Sequence, residues 1–301
     1  MLVARGLSVR YPGGIQALSD LNLEVPREGI TCLLGANGAG KTTLLETASG
    51  LTQPTSGSLT VLGSPAGSAA NRLSVGVMVQ DGGLPGSARP REFLDYLARL
   101  YPNPRNAREV LDMVDIDPST RTPMRRMSGG QVRRIAWAAA MIGNPRALLL
   151  DEPTAGLDPL GREELYRVLR RECNNGVGMI VSTHVIEDVH NLADTIVVIR
   201  DGQLVLMGHP RDLRPNNRLI IRSDHPVDLA PVVHALPAGV TCTPASSGRY
   251  YLDIPGEIDA AVLATVSAWC AHNSATVDIA DLGSTLWDAL RGEHISGVQP
   301  S

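Results

Sequence analysis

The stretch Gly35-Ala36-Asn37-Gly38-Ala39-Gly40-Lys41-Thr42 decides the fold. It fits the phosphate-loop spacing, a glycine, four residues of any kind, then Gly-Lys and a hydroxyl residue. Ile30–Leu34 ahead of it is a short apolar run, and helix propensity resumes over Lys41–Ala48. Strand, glycine loop and helix are the context the motif requires. Glycines let successive backbone N–H groups turn inward around phosphate oxygens, and the following helix aims its positive end at the same anion. Lys41 is expected on the β- and γ-phosphates, and the Thr42 hydroxyl on Mg²⁺. Of the 27 basic residues, Lys41 is the single lysine in a chain that otherwise uses arginine. A compact ammonium fits between phosphate oxygens where a planar guanidinium does not.

Two other stretches seek the same chemistry. Asp151 and Glu152 follow the apolar run Ala147–Leu150, and an acid at the C-terminal edge of a buried strand sits where open α/β sheets bind ligands. Asp151 would hold the Mg²⁺ shell, and Glu152 would polarise an attacking water as general base. Alone, the pair reads better as an acidic turn ahead of Pro153; beside a phosphate loop the functional reading gains. Met127-Ser128-Gly129-Gly130-Gln131 opens a helix with free N–H groups and a helix dipole, a second anion site. In isolation it is just as well a simple N-cap. Two phosphate-seeking helix starts in one chain imply either two ligands or one nucleotide shared between subunits.

The surrounding pattern is α/β. Arg5–Tyr11, Leu21–Val25, Leu59–Leu62 and Ser74–Val79 read as strands, as do Ala147–Leu150, Gly178–Ser182 and Thr195–Ile199. Gly161–Cys173 and Val185–Ala193 read as helices between them. Residues 81–144 turn helical, over Pro90–Tyr101, Ala107–Val114 and, capped by Ser128, Gly129–Ile142. Pro210–Asn217 is the linker signal, so 1–214 is expected as one domain and 215–301 as a second. The second segment alternates βαββαβ, a small ferredoxin-like α+β unit, with a last helix at Leu282–Arg291.

Composition narrows the class. The formal net charge of −4 gives no broad basic field for nucleic acid. Residues 1–214 are close to neutral, with 23 basic and 22 acidic groups, while residues 215–301 carry 4 and 9. Cys32, Cys173, Cys242 and Cys270 form no CxxC pair, so neither a zinc site nor a disulfide framework is expected, and a reducing compartment is the default. The N-terminus lacks the apolar run of a signal peptide. No apolar stretch approaches the roughly 18 residues of a bilayer span. A cytoplasmic chain follows, with any membrane role passing through a partner.

In sum, residues 1–214 resemble the nucleotide-binding subunit of ATP-binding cassette (ABC) transporters, with the motifs in that family's order. Tyr11 matches the aromatic that stacks on adenine. Gly35–Thr43 matches Walker A and implies nucleotide contacts at Gly35, Asn37, Gly38, Gly40, Lys41, Thr42 and Thr43. Gln80 matches the Q-loop residue that senses Mg²⁺ and water. Ser128, Gly129, Gly130 and Gln131 match the signature, with Met127 where the family usually has leucine. Leu148–Glu152 matches Walker B, Ala155–Asp158 the D-loop with Asp158, and His184 the switch histidine.

The resemblance implies the P-loop ABC ATPase fold, with a mixed sheet core and a helical subdomain. It also implies ATP and Mg²⁺ as cofactors and a symmetric homodimer with each ATP sandwiched between Walker A of one copy and the signature of the other. Hydrolysis would use Glu152, His184, Lys41 and Gln80, with Mg²⁺ at Thr42, Gln80 and Asp151. The partner would be a separate transmembrane permease holding the chain at the inner face of the cell membrane. Ala280–Leu290 resembles the ending of multidrug and antibiotic exporter cassettes, which implies export; residues 218–301 read as a regulatory or dimer-stabilising appendage or, equally, as a structural cap over the cassette. A GTPase would need an Asn-Lys-x-Asp motif, and the sole lysine is already used. A cassette ATPase acting on DNA or the ribosome is the rival, but it usually carries two cassettes or a coiled-coil insertion, which this chain lacks.

Overall fold

The computed structural model describes residues 1–80, 83–213, 217–245, 248–255 and 258–292. The chain divides into two compact units, Met1–His209 and Pro210–Ser301. The expected start of the helical segment at Asp81 and the expected boundary at 214/215 lie outside the described residues.

The first unit carries two sheets. An antiparallel one, in the order β2-β1-β4-β5, is built from β1 (Leu2–Arg10), β2 (Gln16–Val25), β4 (Ser56–Val61) and β5 (Ser64–Pro65). The other is six-stranded, in the order β10-β9-β3-β8-β7-β6. Its members are β3 (Ile30–Leu34), β6 (Val75–Met78), β7 (Ala147–Asp151), β8 (Gly178–Thr183), β9 (Thr195–Arg200) and β10 (Gln203–Gly208). Every residue of β3, β7 and β8 is buried. These are mostly apolar runs covered on both faces, the pattern of central parallel strands, with polar residues gathered at the C-terminal ends of β7 and β8. The parallel register places Leu34 beside Thr183 and Asp151 beside Ser182. The C-terminal ends of three central strands therefore meet at one edge, where such sheets bind ligands.

The helices are α1 (Lys41–Ser49), α2 (Ala69–Ser74), α3 (Pro90–Ala98), α4 (Ala107–Met113), α5 (Gly129–Met141), α6 (Pro159–Asn174) and α7 (Ile186–Leu192). α3, α4 and α5 lie between β6 and β7, the helical insertion of the sequence reading. Strand β10 was not foreseen. Asp201 and Gly202 both take positive φ, 51° and 75°, and turn the chain back along β9 as an antiparallel edge hairpin. Helix α6 begins at Pro159 rather than Gly161, because Asp158 caps it by accepting from the Gly161 N–H at 2.8 Å.

The second unit runs β11 (Arg218–Arg222), α8 (Ala230–His234), β12 (Thr241–Pro244), β13 (Arg249–Asp253), α9 (Ala260–His272), β14 (Thr276–Ile279) and α10 (Leu282–Arg291). Its sheet is antiparallel, ordered β12-β13-β11-β14, the split β-α-β arrangement. Leu219, Ile221, Leu252, Val262 and Val266 form its core. No helix among the described residues is long and apolar enough to cross a membrane.

Candidate active site

A cleft of about 460 Å³ opens over the loop between β3 and α1. Asn37, Gly38, Gly40, Lys41, Thr42 and Thr43 line it, Tyr11, Ile15, Gln16 and Ala17 form one wall, and Gln80 and Glu152 face in from the sheet. Gly40 has φ 104°, and a Cβ there would stand 2.6 Å from the Ala17 carbonyl oxygen, so only glycine allows this close approach. Gly35 is buried, and a Cβ on it would come 2.6 Å from the Ile199 carbonyl.

Lys41 is buried and folds back over its own loop. Its Nζ donates to the carbonyls of Gly35 at 2.7 Å and Ala36 at 3.0 Å, and lies 3.9 Å from Glu152 Oε1. Burial lowers its pKa below the ordinary lysine value, while Glu152 and then Asp151 pull it back up. An incoming polyanion would exchange the two carbonyl contacts for charge-assisted ones.

Glu152 is the hub. It adopts φ 46°, an uncommon left-handed conformation for a non-glycine residue. Its Oε1 sits 3.0 Å from His184 Nδ1, and Gln80 Nε2 donates to Oε2 at 3.4 Å. Its N–H donates to Ser182 Oγ at 2.9 Å; the Ser182 hydroxyl in turn donates to Asp151 Oδ1. The other Asp151 oxygen, Oδ2, is buried without a hydrogen-bond partner. A buried carboxylate oxygen with no hydrogen-bond donor is suited to a cation as its partner. With the Thr42 hydroxyl and the Gln80 amide in reach of the cleft, the donor set is all oxygen, hard and sparse. That fits Mg²⁺, which takes one or two protein ligands and leaves the rest to water and phosphate. Among the described residues no cluster of three or more His, Cys, Asp or Glu could hold a metal alone.

The structure thus brings Tyr11, Gly35–Thr43, Gln80, Asp151, Glu152 and His184 together. The Tyr11 hydroxyl is already engaged, donating to Glu46 Oε2 at 2.9 Å and lying 3.2 Å from Thr43 Oγ1. Ser128, Gly129, Gly130, Gln131 and Asp158 are not part of the cleft lining. Ser128 caps α5 in a reciprocal box with Gln131, at 3.2 Å and 3.0 Å, and Asp158 caps α6. Ser128, Gly129, Gln131 and Asp158 are exposed.

Three participants escaped the sequence reading. Ser182 joins Asp151 to Glu152, which the parallel register of two recognised strands could have disclosed. Arg133, on α5, donates to the carbonyls of Gln80 at 3.0 Å, Pro153 at 3.5 Å and Glu152, and appeared in the sequence only as half of an arginine pair. Asp188, fully buried, accepts from Thr154 at 2.7 Å, Thr183 at 2.5 Å and Tyr166 at 2.6 Å. No spacing rule in the sequence marks that convergence.

The sequence profile of the family described as "ABC transporter" matches residues 18–155. The daunorubicin resistance ATP-binding protein DrrA3 of Streptomyces coeruleorubidus is 36% identical over 216 residues, covering 69% of this chain and 68% of that one. The cobalt import ATP-binding protein CbiO of Salmonella typhi is 34% identical over 232 residues, covering 71% and 82%. The solved structure of cbiO1 from Clostridium perfringens, described as part of the ABC transporter complex cbiONQ, superposes with a TM-score of 0.61 at 31% identity. It covers 70% of this chain and 89% of that one.

Proposed function

Because the chain belongs to the ABC transporter family as an ATP-binding, ATP-hydrolysing subunit, we propose that it powers substrate movement through a separate membrane permease, working as a homodimer with ATP held between two copies. The carrying observation is the division of phosphate-seeking groups within one chain. Lys41, Thr42 and Glu152 face one cleft, whereas Ser128–Gln131 opens a helix away from that cleft, its capping box taking the Ser128 and Gln131 N–H groups and leaving those of Gly129 and Gly130 for an anion. A Cβ at Gly129 would meet nothing within 4 Å, so the fold of the single chain does not require glycine there. Close approach by a phosphate from outside does. Leu160, two residues past Asp158, stands 71% exposed, as a residue awaiting a partner surface would.

Within the closed pair, Lys41 holds the γ-phosphate end of ATP and Tyr11 flanks the base. Glu152 takes a proton from the attacking water, and His184 keeps its carboxylate aimed. Asp151, Thr42 and Gln80 would hold Mg²⁺, whose charge offsets that developing on the phosphates. Loss of the γ-phosphate removes the group shared by Lys41 and the partner's signature helix, and the pair opens. The relatives' names include a resistance protein and an importer. The Ala280–Leu290 ending favours export, with residues 218–301 as a regulatory or dimer-stabilising unit.

Glu152→Gln is the test. It keeps the shape and removes the base, so ATP-Mg should bind, turnover should fall about a thousandfold, and a dimer should accumulate in light scattering. A variant that stays monomeric at saturating ATP-Mg overturns the shared-site reading.

A further inference from the structure

The geometry points to Arg133 as a positioning residue that couples the two nucleotide sites of the pair, an inference that rests on the shared-site reading above. Arg133 lies on α5, five residues after Ser128, so it rides on the helix whose N-terminus would grip the partner's nucleotide. Its guanidinium donates to the backbone carbonyls of Gln80, Glu152 and Pro153. Gln80 and Glu152 are both lining residues of this chain's own cleft. One planar fork therefore ties three carbonyls on two catalytic loops to a single helix.

The contact is more than a surface pairing. Glu152 is held at φ 46°, a conformation that persists only where surrounding contacts over-determine it. The Arg133 bond to its carbonyl is one such contact, and Ser182 on its N–H is another. A displacement of α5, driven when its N-terminus closes on a phosphate, is passed by Arg133 to the peptides on either side of the general base. Occupancy of one site thereby alters the aim of Glu152 in the other. The guanidinium suits this role because its donors have fixed directions, which an ammonium lacks.

Arg133→Met keeps the aliphatic stem and removes every donor. With the full-length chain, three quantities are read: the Kd for ATP, kcat, and the Hill coefficient of hydrolysis against ATP. The expected result is a Kd within about twofold of the parent, kcat reduced about tenfold or more, and a Hill coefficient dropping from about 2 toward about 1. Arg133→Lys should recover part of kcat but little of the cooperativity. Unchanged kcat and Hill coefficient overturn the proposal. So does a rise in Kd that matches the loss of kcat, since that marks simple collapse of the loops. A parent chain that hydrolyses ATP without cooperativity and never dimerises overturns the shared-site reading itself, and the coupling with it.

Discussion

His184 Nδ1 lies 3.0 Å from Glu152 Oε1, and the two groups arrive from adjacent parallel strands whose ends are in register at Asp151 and Ser182. Glu152 is nearly buried while the His184 side chain is 48% exposed. The imidazole thus fixes one rotamer of the carboxylate from the solvent side. On the function proposed above, this contact with Glu152 puts the work of His184 on the chemical step rather than on binding. His184→Ala should lower kcat roughly a hundredfold and leave KM for ATP within about threefold. Steady-state kinetics decide it: a KM effect larger than the kcat effect would assign His184 to binding.

Lys41 makes nucleotide affinity pH-dependent in a definite direction. Burial lowers its pKa in the free protein, partly offset by Glu152 and Asp151. A bound polyphosphate favours the ammonium and raises that pKa again. ATP affinity should therefore be full at low pH and decline as pH rises through the free-protein value, starting below the ordinary lysine range. For the ligand-free fold the sign follows the proton count. The unfolded chain holds the Lys41 proton to higher pH, so Lys41's contribution to stability improves as pH rises between the two values. Calorimetry from about pH 7 to 10 in buffers of different ionisation enthalpy should record proton uptake on ATP binding. Lys41→Met should abolish the uptake and hydrolysis together.

Gly129 separates folding from function. It starts α5 with open space around its would-be Cβ. Alanine in a helix is favoured over glycine by about 0.5–1 kcal/mol, so Gly129→Ala should hold or raise the melting temperature. The same methyl would stand between the helix N-terminus and a partner's phosphate. ATPase activity should fall about tenfold or more while the single chain still binds ATP. A stable variant with full turnover would place the second anion contact elsewhere.

How much of this was legible depended on how local each signal was. The phosphate loop, the acid pair after β7 and the Ser128 cap are contiguous motifs, and each landed where its flanking strand or helix implied. His184 needed neighbours in the right order. Ser182, Arg133 and Asp188 act through partners up to 53 residues away or through convergence of several segments, and their residue types carry no periodic signature. Strand β10 was missed for a different reason. Its apolar stretch Leu204–Met207 becomes an edge strand only through Asp201-Gly202, a short turn whose left-handed residues set the hairpin.

Asp188 offers the sharpest test of the buried framework beneath the site. Its carboxylate is wholly inaccessible and is satisfied by three hydroxyls, those of Thr154, Thr183 and Tyr166. Thr154 lies two residues past Glu152 and Thr183 immediately before His184, so the carboxylate fastens together the two segments that carry the proposed catalytic pair. Asp188→Ala strands these hydroxyls and should cost about 2–4 kcal/mol in denaturant unfolding. Asp188→Asn keeps the volume and lets the hydroxyls reorient, and should cost closer to about 1 kcal/mol. Tyr166 gives an independent readout. Burial first, then its bond to Asp188, pushes its pKa above the usual tyrosine range. Replacing the carboxylate by the neutral amide removes the second cause, so Tyr166 should ionise at lower pH in Asp188→Asn than in the parent. Tyrosinate absorbance, with Tyr166→Phe subtracted to isolate the residue, measures the shift. An unmoved titration would mean that the bond to Asp188 does not hold the Tyr166 proton and that burial alone raises its pKa.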